Sequence, residues 1–255
     1  MDINFYNHDT ERLDEINENL SIIQGKNGLT FGTDSYLLGA FCKSNKNYVC
    51  CELGGGTGVI SLLLCSKEKC KRIYCVEIQE YYSELIKRNA VLNKMEDRIH
   101  PVNMDIRNIT RDTFGHEMNM VVTNPPYMKV DSGFRSKTSE MDDARRENNG
   151  NIEDFIKCSS EILKFGGYFY VVYRPERTAD LLYFMRKYSI EPKRMVFMHS
   201  TYNSKPSLIF AEGIKGGSPG LVISKPLVVY KKDSKEYTFE MNEIYNTFSM
   251  NHLFT

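Results

Sequence analysis

Between Tyr48 and Tyr173 short β-rich runs alternate with helical patterns, and that alternation leaves few folds open. The spacing predicts strands at Tyr48–Leu53, Arg72–Glu77, Arg98–Asn103, Asn119–Thr123 and Gly167–Tyr173. Helices are expected near Val59–Lys67, Glu80–Asn93 and Ile152–Lys164. In the second helix Tyr82, Leu85, Ile86, Asn89 and Ala90 recur at the spacing of one helical face. Asn151 is placed to cap the third, with Asp154 three residues on. Strands separated by helices in this way wind into a parallel sheet with helices on both faces.

After Tyr173 the pattern changes. A helix near Thr178–Tyr188 is followed by Met195–Met198 and Ser207–Ala211, close enough to pair antiparallel, so the sheet is expected to be mixed. Leu227–Tyr230 and Tyr237–Glu240 flank Lys-Lys-Asp-Ser and read as a C-terminal β-hairpin. Upstream, Ser21–Gln24 reads as a short strand and Ser35–Cys42 as a helix with Asp34 as its cap. Residues 1–45 are taken as an N-terminal extension packing on one catalytic domain, 46–255.

Composition narrows the setting. The 255 residues are 41% hydrophobic, yet no apolar run is long enough to span a membrane. Seven acidic or basic residues between Asp2 and Glu18 break any secretory core, so a cytoplasmic protein is expected. The seven cysteines form no CxxC pair. They read as buried free thiols, with no metal implied. Cys50 and Cys51 should face opposite sides of their strand. Net charge is zero, but from Lys187 to Lys235 nine Lys/Arg stand against three acidic residues. That basic segment fits either a nucleic-acid partner or a merely solvated surface.

Glu52-Leu-Gly54-Gly-Gly56-Thr-Gly58 turns a strand into a helix through glycines, where a ligand can touch backbone with no Cβ in the way. The helix N-terminus offers free N–H groups. Glu77 ends the next strand and can accept hydrogen bonds from both hydroxyls of a ribose. The spacing G-x-G-x-G differs from the G-x-G-x-x-G of pyrophosphate binders, which favours a nucleoside without phosphates over NAD. A glycine-rich turn with no ligand would look the same.

The fourth strand runs into Asn124-Pro125-Pro126-Tyr127, at the end of the sheet where ligands of open α/β folds sit. An exocyclic amine on adenine is a poor nucleophile because its lone pair is delocalised into the ring. The side-chain oxygen of Asn124 and the carbonyl of Pro125 can accept its two hydrogens, localise the lone pair and aim it. Two prolines fix φ and present that carbonyl rigidly. Tyr127 can stack on the base. No strong base is needed, because the nitrogen becomes acidic once alkylated.

Taken together, Glu52–Gly58, Glu77, Asp105 and Asn124–Tyr127 resemble the class I methyltransferases that act on amino nitrogens. The chain is similar in particular to the tRNA1(Val) (adenine-37-N6)-methyltransferase family. That closer likeness is carried by Glu11-Arg-Leu13, Ile22-Ile-Gln24, Phe31-Gly-Thr-Asp34, Ala144-Arg-Arg-Glu147 and Pro226–Tyr230 with Tyr237-Thr238. The resemblance implies a Rossmann-like, seven-stranded mixed sheet with one antiparallel strand. It implies S-adenosylmethionine as cofactor and an adenine of tRNA as substrate. Thr33 and Asp34 would then sit near the methionine end of the cofactor, Glu77 at the ribose, and Asp105 and Ile106 at the adenine ring, with Ile78 also in the cofactor site. Glu52, Gly54, Gly56, Gly58 and Asn124 would complete the cofactor site. Lys129, Arg145, Arg146, Lys193 and Arg194 are the expected RNA contacts.

Two other readings compete. A protein glutamine-N5 methyltransferase acting on a release factor also needs acceptors for an NH₂ group. By resemblance it would carry a helical domain before the glycine loop, where only about fifty residues stand here. A non-catalytic cofactor- or RNA-binding protein would have no use for a shaped amine pocket. Asn124–Tyr127 therefore favours an enzyme.

Overall fold

The computed structural model of the protein describes residues 6–27, 31–126 and 150–255. A hairpin of β1 (Glu11–Asn17) and β2 (Leu20–Gly25) leads into α1 (Thr33–Phe41). Then follow β3 (Val49–Leu53), α2 (Val59–Ser66), β4 (Arg72–Glu77), α3 (Glu80–Leu92), β5 (Ile99–Asn103) and β6 (Met118–Thr123). After residue 149 come α4 (Ile152–Ile162), β7 (Leu163–Tyr173), α5 (Thr178–Lys187), β8 (Ile190–His199) and β9 (Pro206–Lys215). The two-residue strands β10 (Val222–Ile223) and β11 (Leu227–Val228) precede α6 (Phe239–Thr247).

The main sheet runs β10-β8-β9-β7-β6-β3-β4-β5, with β11 also on β8. Its seven long strands are the expected ones; β10 and β11 raise the count to nine. Only β9 is antiparallel to its neighbours. The central strands are apolar on both faces because helices cover both. Cys50, Ile73, Met120 and Tyr170 face one core with α1, α2 and α3. Cys51, Val76, Val121 and Phe169 face the other, with α4 and α5. Cys50 and Cys51 thus point to opposite sides, and all seven cysteines are buried free thiols. Asn151 and Asp154 cap α4 reciprocally, side chain to backbone, at 3.1 and 3.0 Å.

Two expectations fail. The C-terminal hairpin reduces to one antiparallel bridge, Tyr230–Tyr237. Leu227–Val228 instead joins β8 in parallel, and Tyr237–Glu240 runs into a helix. The Thr238 hydroxyl accepts from the Met241 N–H at 3.3 Å and starts α6. Met241, Ile244 and Phe248 then bury one helical stripe, a period that four residues are too few to show. Nor does Asp34 cap α1. Gly32 holds that position with no side-chain bond, and Asp34 lies in the first turn.

The N-terminal hairpin is tied to α3. Arg88 donates to both oxygens of Glu11 at 2.8 and 2.7 Å. These bonds, the largest influence on it, bring the Glu11 carboxyl down to about 2. Asn89 is fully buried. Its Oδ1 accepts from Ile23 N at 2.7 Å, and its Nδ2 donates to the carbonyls of Ile23 and Thr57 at 3.1 and 2.9 Å. One side chain therefore joins the hairpin to the glycine loop. Asn89→Ala strands three buried backbone groups and should lower the unfolding free energy by about 2–4 kcal/mol in denaturant titrations. A change under about 0.5 kcal/mol would remove this role.

Candidate active site

Strand order places the site. From β3 the chain steps to β4 and β5 on one side, and β6 falls on the other, so the order reverses between β3 and β6. Ligands of open α/β sheets bind at the carboxyl ends beside such a reversal. Leu53 and Thr123 are paired rungs, and the Thr123 hydroxyl donates to the Leu53 carbonyl at 2.8 Å. Gly54 and Asn124 therefore leave the sheet side by side. Glu77 and Asn103 form the last rung of β4 with β5. Asp105, Glu77, the glycine loop and Asn124 thus line up across four adjacent strand ends, a span of roughly 14 Å at the usual strand spacing.

The loop's shape follows from its glycines. Gly54, Gly56 and Gly58 have φ of 72°, 53° and 81°, the left-handed region that side chains disfavour. The N–H groups of Gly54 and Gly55 both donate to the Val76 carbonyl at 2.9 Å, drawing the loop over β4. A Cβ at Gly55 would lie 2.2 Å from the Cys75 sulfur, so that glycine serves packing. Glu77 accepts from Gly56 N and Gln79 N, each at 2.9 Å. Two backbone bonds leave a carboxylate further lone pairs for hydroxyl donors. Burial raises the Glu77 pKa despite those bonds. An acceptor-only group beside a glycine turn is free to take hydroxyl donors such as those of a diol.

Glu52 does not face the ligand side. It is 1% exposed and sits beneath the first turn of α2. There it accepts from Ser61 N at 2.9 Å, from the Ser61 hydroxyl, and from the Cys75 thiol at 3.4 Å. Burial pushes its pKa up to about 7. Its part is to hold α2 under the loop. At the other end, Asp105 accepts from Arg107 N at 2.9 Å and pairs with the Arg107 guanidinium, which lowers its pKa. Ile106 is buried and Ile78 half-buried. Asn103, which sequence reasoning missed, donates to the carbonyls of Glu77 and Ile78 at 2.9 and 3.0 Å and fixes the turn between them.

Asn124 meets the N-terminus of α1. Its Nδ2 donates to Asp34 Oδ2 at 3.1 Å and to Ser35 Oγ at 3.2 Å. Asp34 is the member of the Thr33-Asp34 pair that reaches Asn124. Thr33 lines a cleft of about 570 Å³ with Phe31, Tyr36 and Tyr245. Ser35 was not expected from sequence; its contact joins positions 89 residues apart. Pro125 is buried and Pro126 exposed. Tyr127, Lys129, Arg145 and Arg146 lie outside the described residues. Among those described, no group of His, Cys, Asp or Glu is placed to hold a metal ion. None of the described helices is long and apolar enough to cross a membrane.

The expected RNA contact at Arg194 is corrected. Its side chain is 15% exposed, donates to Glu212 at 2.9 and 2.6 Å, and lies over the rings of Phe41 and Phe254. Arg194 and Glu212 are cross-strand partners, which a charge count along the chain cannot reveal. Lys193 donates to the Ser218 carbonyl at 3.0 Å. Lys187 pairs with Glu153 and Lys231 with Glu236.

This is the fold of class I S-adenosylmethionine-dependent methyltransferases. A predicted O-methyltransferase from Agrobacterium tumefaciens superposes with a TM-score of 0.69 at 19% identity, covering 85% of this chain and 97% of that one. A Methanocaldococcus jannaschii TYW2 structure with AdoMet superposes at 0.54 with 17% identity over 82% and 89% of the two chains. The TRM5/TYW2 methyltransferase domain model matches residues 40–135.

Two curated relatives resemble the chain over most of its length. A tRNA1(Val) (adenine(37)-N6)-methyltransferase of Porphyromonas gingivalis is 26% identical over 187 residues, 71% of this chain and 72% of the relative. A protein of the same name from Flavobacterium psychrophilum is 23% identical over 218 residues, 84% and 92% of the two chains.

Proposed function

We propose that the protein transfers the methyl group of S-adenosylmethionine to the N6 amine of an adenine in tRNA, adenine 37 beside the anticodon. The observation that carries this reading is Asn124-Pro125 leaving the sheet next to the glycine loop. The relatives that share its length act, by name, on this adenine. S-adenosylmethionine supplies an electrophilic methyl group on a sulfonium. Glu77 binds the ribose hydroxyls, and Asp105 with Ile78 and Ile106 flanks the adenine of the cofactor. Asn124 Oδ1 and the Pro125 carbonyl accept the two hydrogens of the substrate amine, turning its lone pair out of the ring. The proton leaves to water after transfer. Tyr127 stacks on the target base, which a single-stranded loop releases at least cost. Such work places the protein in the cytoplasm.

The RNA-binding cations of this reading lie at the sheet's carboxyl rim rather than at Lys193 and Arg194. The turn after β8 exposes Tyr202 (81% exposed) and Lys205. Beside it lies the Lys231–Lys235 turn, joined by Tyr230 N donating to the Ser200 carbonyl at 2.9 Å. Lys205, Lys232 and Lys235 are exposed there, and β8 runs parallel to β7 and β6, so this rim lies at the end of the sheet that carries Asn124.

The test is labelled methyl transfer into bulk tRNA, total RNA and release factor in parallel, with mass spectrometry of digested tRNA. N6-methyladenosine beside the anticodon is expected, at a rate that falls steeply with salt through counterion release. Lys205→Glu with Lys232→Glu should raise KM for tRNA more than it lowers kcat, and should flatten the salt dependence. Label appearing in glutamine, or transfer indifferent to salt and to both charge reversals, overturns the substrate or its binding rim respectively.

A further inference from the structure

We infer that Asp34 and Ser35 are positioning residues that decide which end of the Asn124 amide faces the reacting amine; this rests on the reading above. A primary amide has a donor end and an acceptor end, and a half-turn about its last bond exchanges them. Only the oxygen end can take a hydrogen from the substrate nitrogen. The flipped amide would present N–H groups to it and hold no amine. Something must choose between two nearly isosteric states.

Asp34 makes that choice. An ionised carboxylate is acceptor-only, so the amide end that meets it has to be the NH₂. Nδ2 of Asn124 donates to Asp34 Oδ2 at 3.1 Å and to Ser35 Oγ at 3.2 Å, which sets Oδ1 on the opposite side of the amide. The carboxylate is itself held. Its Oδ1 accepts from Ser35 N at 2.8 Å. A Cβ at residue 32 would lie 2.6 Å from that oxygen, so Gly32 leaves the space that the carboxylate occupies. Ser35 is 8% exposed, so its hydroxyl is a fixed, buried partner for the amide. The negative charge on the donor end also polarises the amide and makes Oδ1 a stronger acceptor. Gly32, Asp34 and Ser35 thus work on the reaction through Asn124 without touching the amine.

A charge exchange tests this. Asn124→Asp alone sets two carboxylates against each other and should lower the single-turnover rate by about 10²-fold. Adding Asp34→Asn places an amide donor against the introduced carboxylate, whose other oxygen can again accept from the amine. The double variant should regain at least about tenfold over Asn124→Asp at saturating cofactor. Ser35→Ala should lower kcat with KM for substrate and cofactor affinity held, and Ser35→Thr should restore it. Rates are read on whichever of tRNA or release factor accepts label in the wild type, because either NH₂ group needs the same acceptor. A protein product therefore removes the tRNA reading while the rescue ratio still judges the latch. The Asn124 side-chain amide signals in ¹⁵N-labelled protein give a readout that needs no substrate. They should shift in Asp34→Ala. No rescue in the double variant, with the cofactor bound as in wild type, overturns the inference. Unmoved amide signals do the same.

Discussion

Asn124→Ala is expected to cut single-turnover methyl transfer by ~10²-fold or more while leaving cofactor affinity near that of the wild type. In the proposed mechanism the alanine removes the acceptor that draws one hydrogen of the amine out of the ring plane, and the delocalised lone pair is then a poor nucleophile however well the base is held. Binding has other sources, chiefly base stacking and phosphate contacts, so KM for RNA should move far less than kcat. The backbone of β6 is anchored independently of this side chain, by its pairing with β3 and by Thr123 donating to Leu53 at 2.8 Å. Loss of fold is therefore not the expected route to loss of rate, and circular dichroism of the variant checks it. Rates within a few-fold of wild type would remove Asn124 from the chemistry.

The second large effect concerns the cofactor. Glu77→Ala should weaken S-adenosylmethionine binding by ~10²-fold or more, because two charge-assisted hydrogen bonds of about 1.5–3 kcal/mol each are lost from the ribose. The substitution also strips the Gly56 N–H of its 2.9 Å acceptor and so loosens the glycine loop. Glu77→Gln keeps an acceptor of the same shape and should fall between the two. Burial raises the Glu77 pKa, and the ionised form is the better ribose acceptor, so affinity should weaken as the pH is lowered through its titration. Calorimetry of the three proteins across pH is the measurement. Equal affinities for wild type and Glu77→Ala would place the ribose elsewhere.

The class of fold was legible because it rests on local patterns. Residue types repeat at the periods of strands and helices, and glycines stand where the backbone must turn left-handed. Asn124–Tyr127 follows its strand directly in the sequence, so the Rossmann-like sheet, with the strand ends that carry the glycine loop and Asn124, could be placed from one chain. What the sequence could not express were contacts between residues far apart along it. Arg194 counted as a free positive charge until β8 met β9 and Glu212 came opposite. Glu52 read as part of the ligand loop until strand alternation turned it under α2, against Ser61. Tyr237–Glu240 looked like a strand because a cap and a helical stripe, Thr238 and Met241–Phe248, only gain meaning when a core is present to bury the stripe. The pairing of Asn124 with Asp34 and Ser35 is the clearest case. Residue types near Asp34 and Ser35 carry no sign of a partner some ninety positions away. Periodicity and turn chemistry are encoded locally, whereas burial and pairing depend on which surfaces the packed sheet brings together, and those belong to the tertiary structure alone.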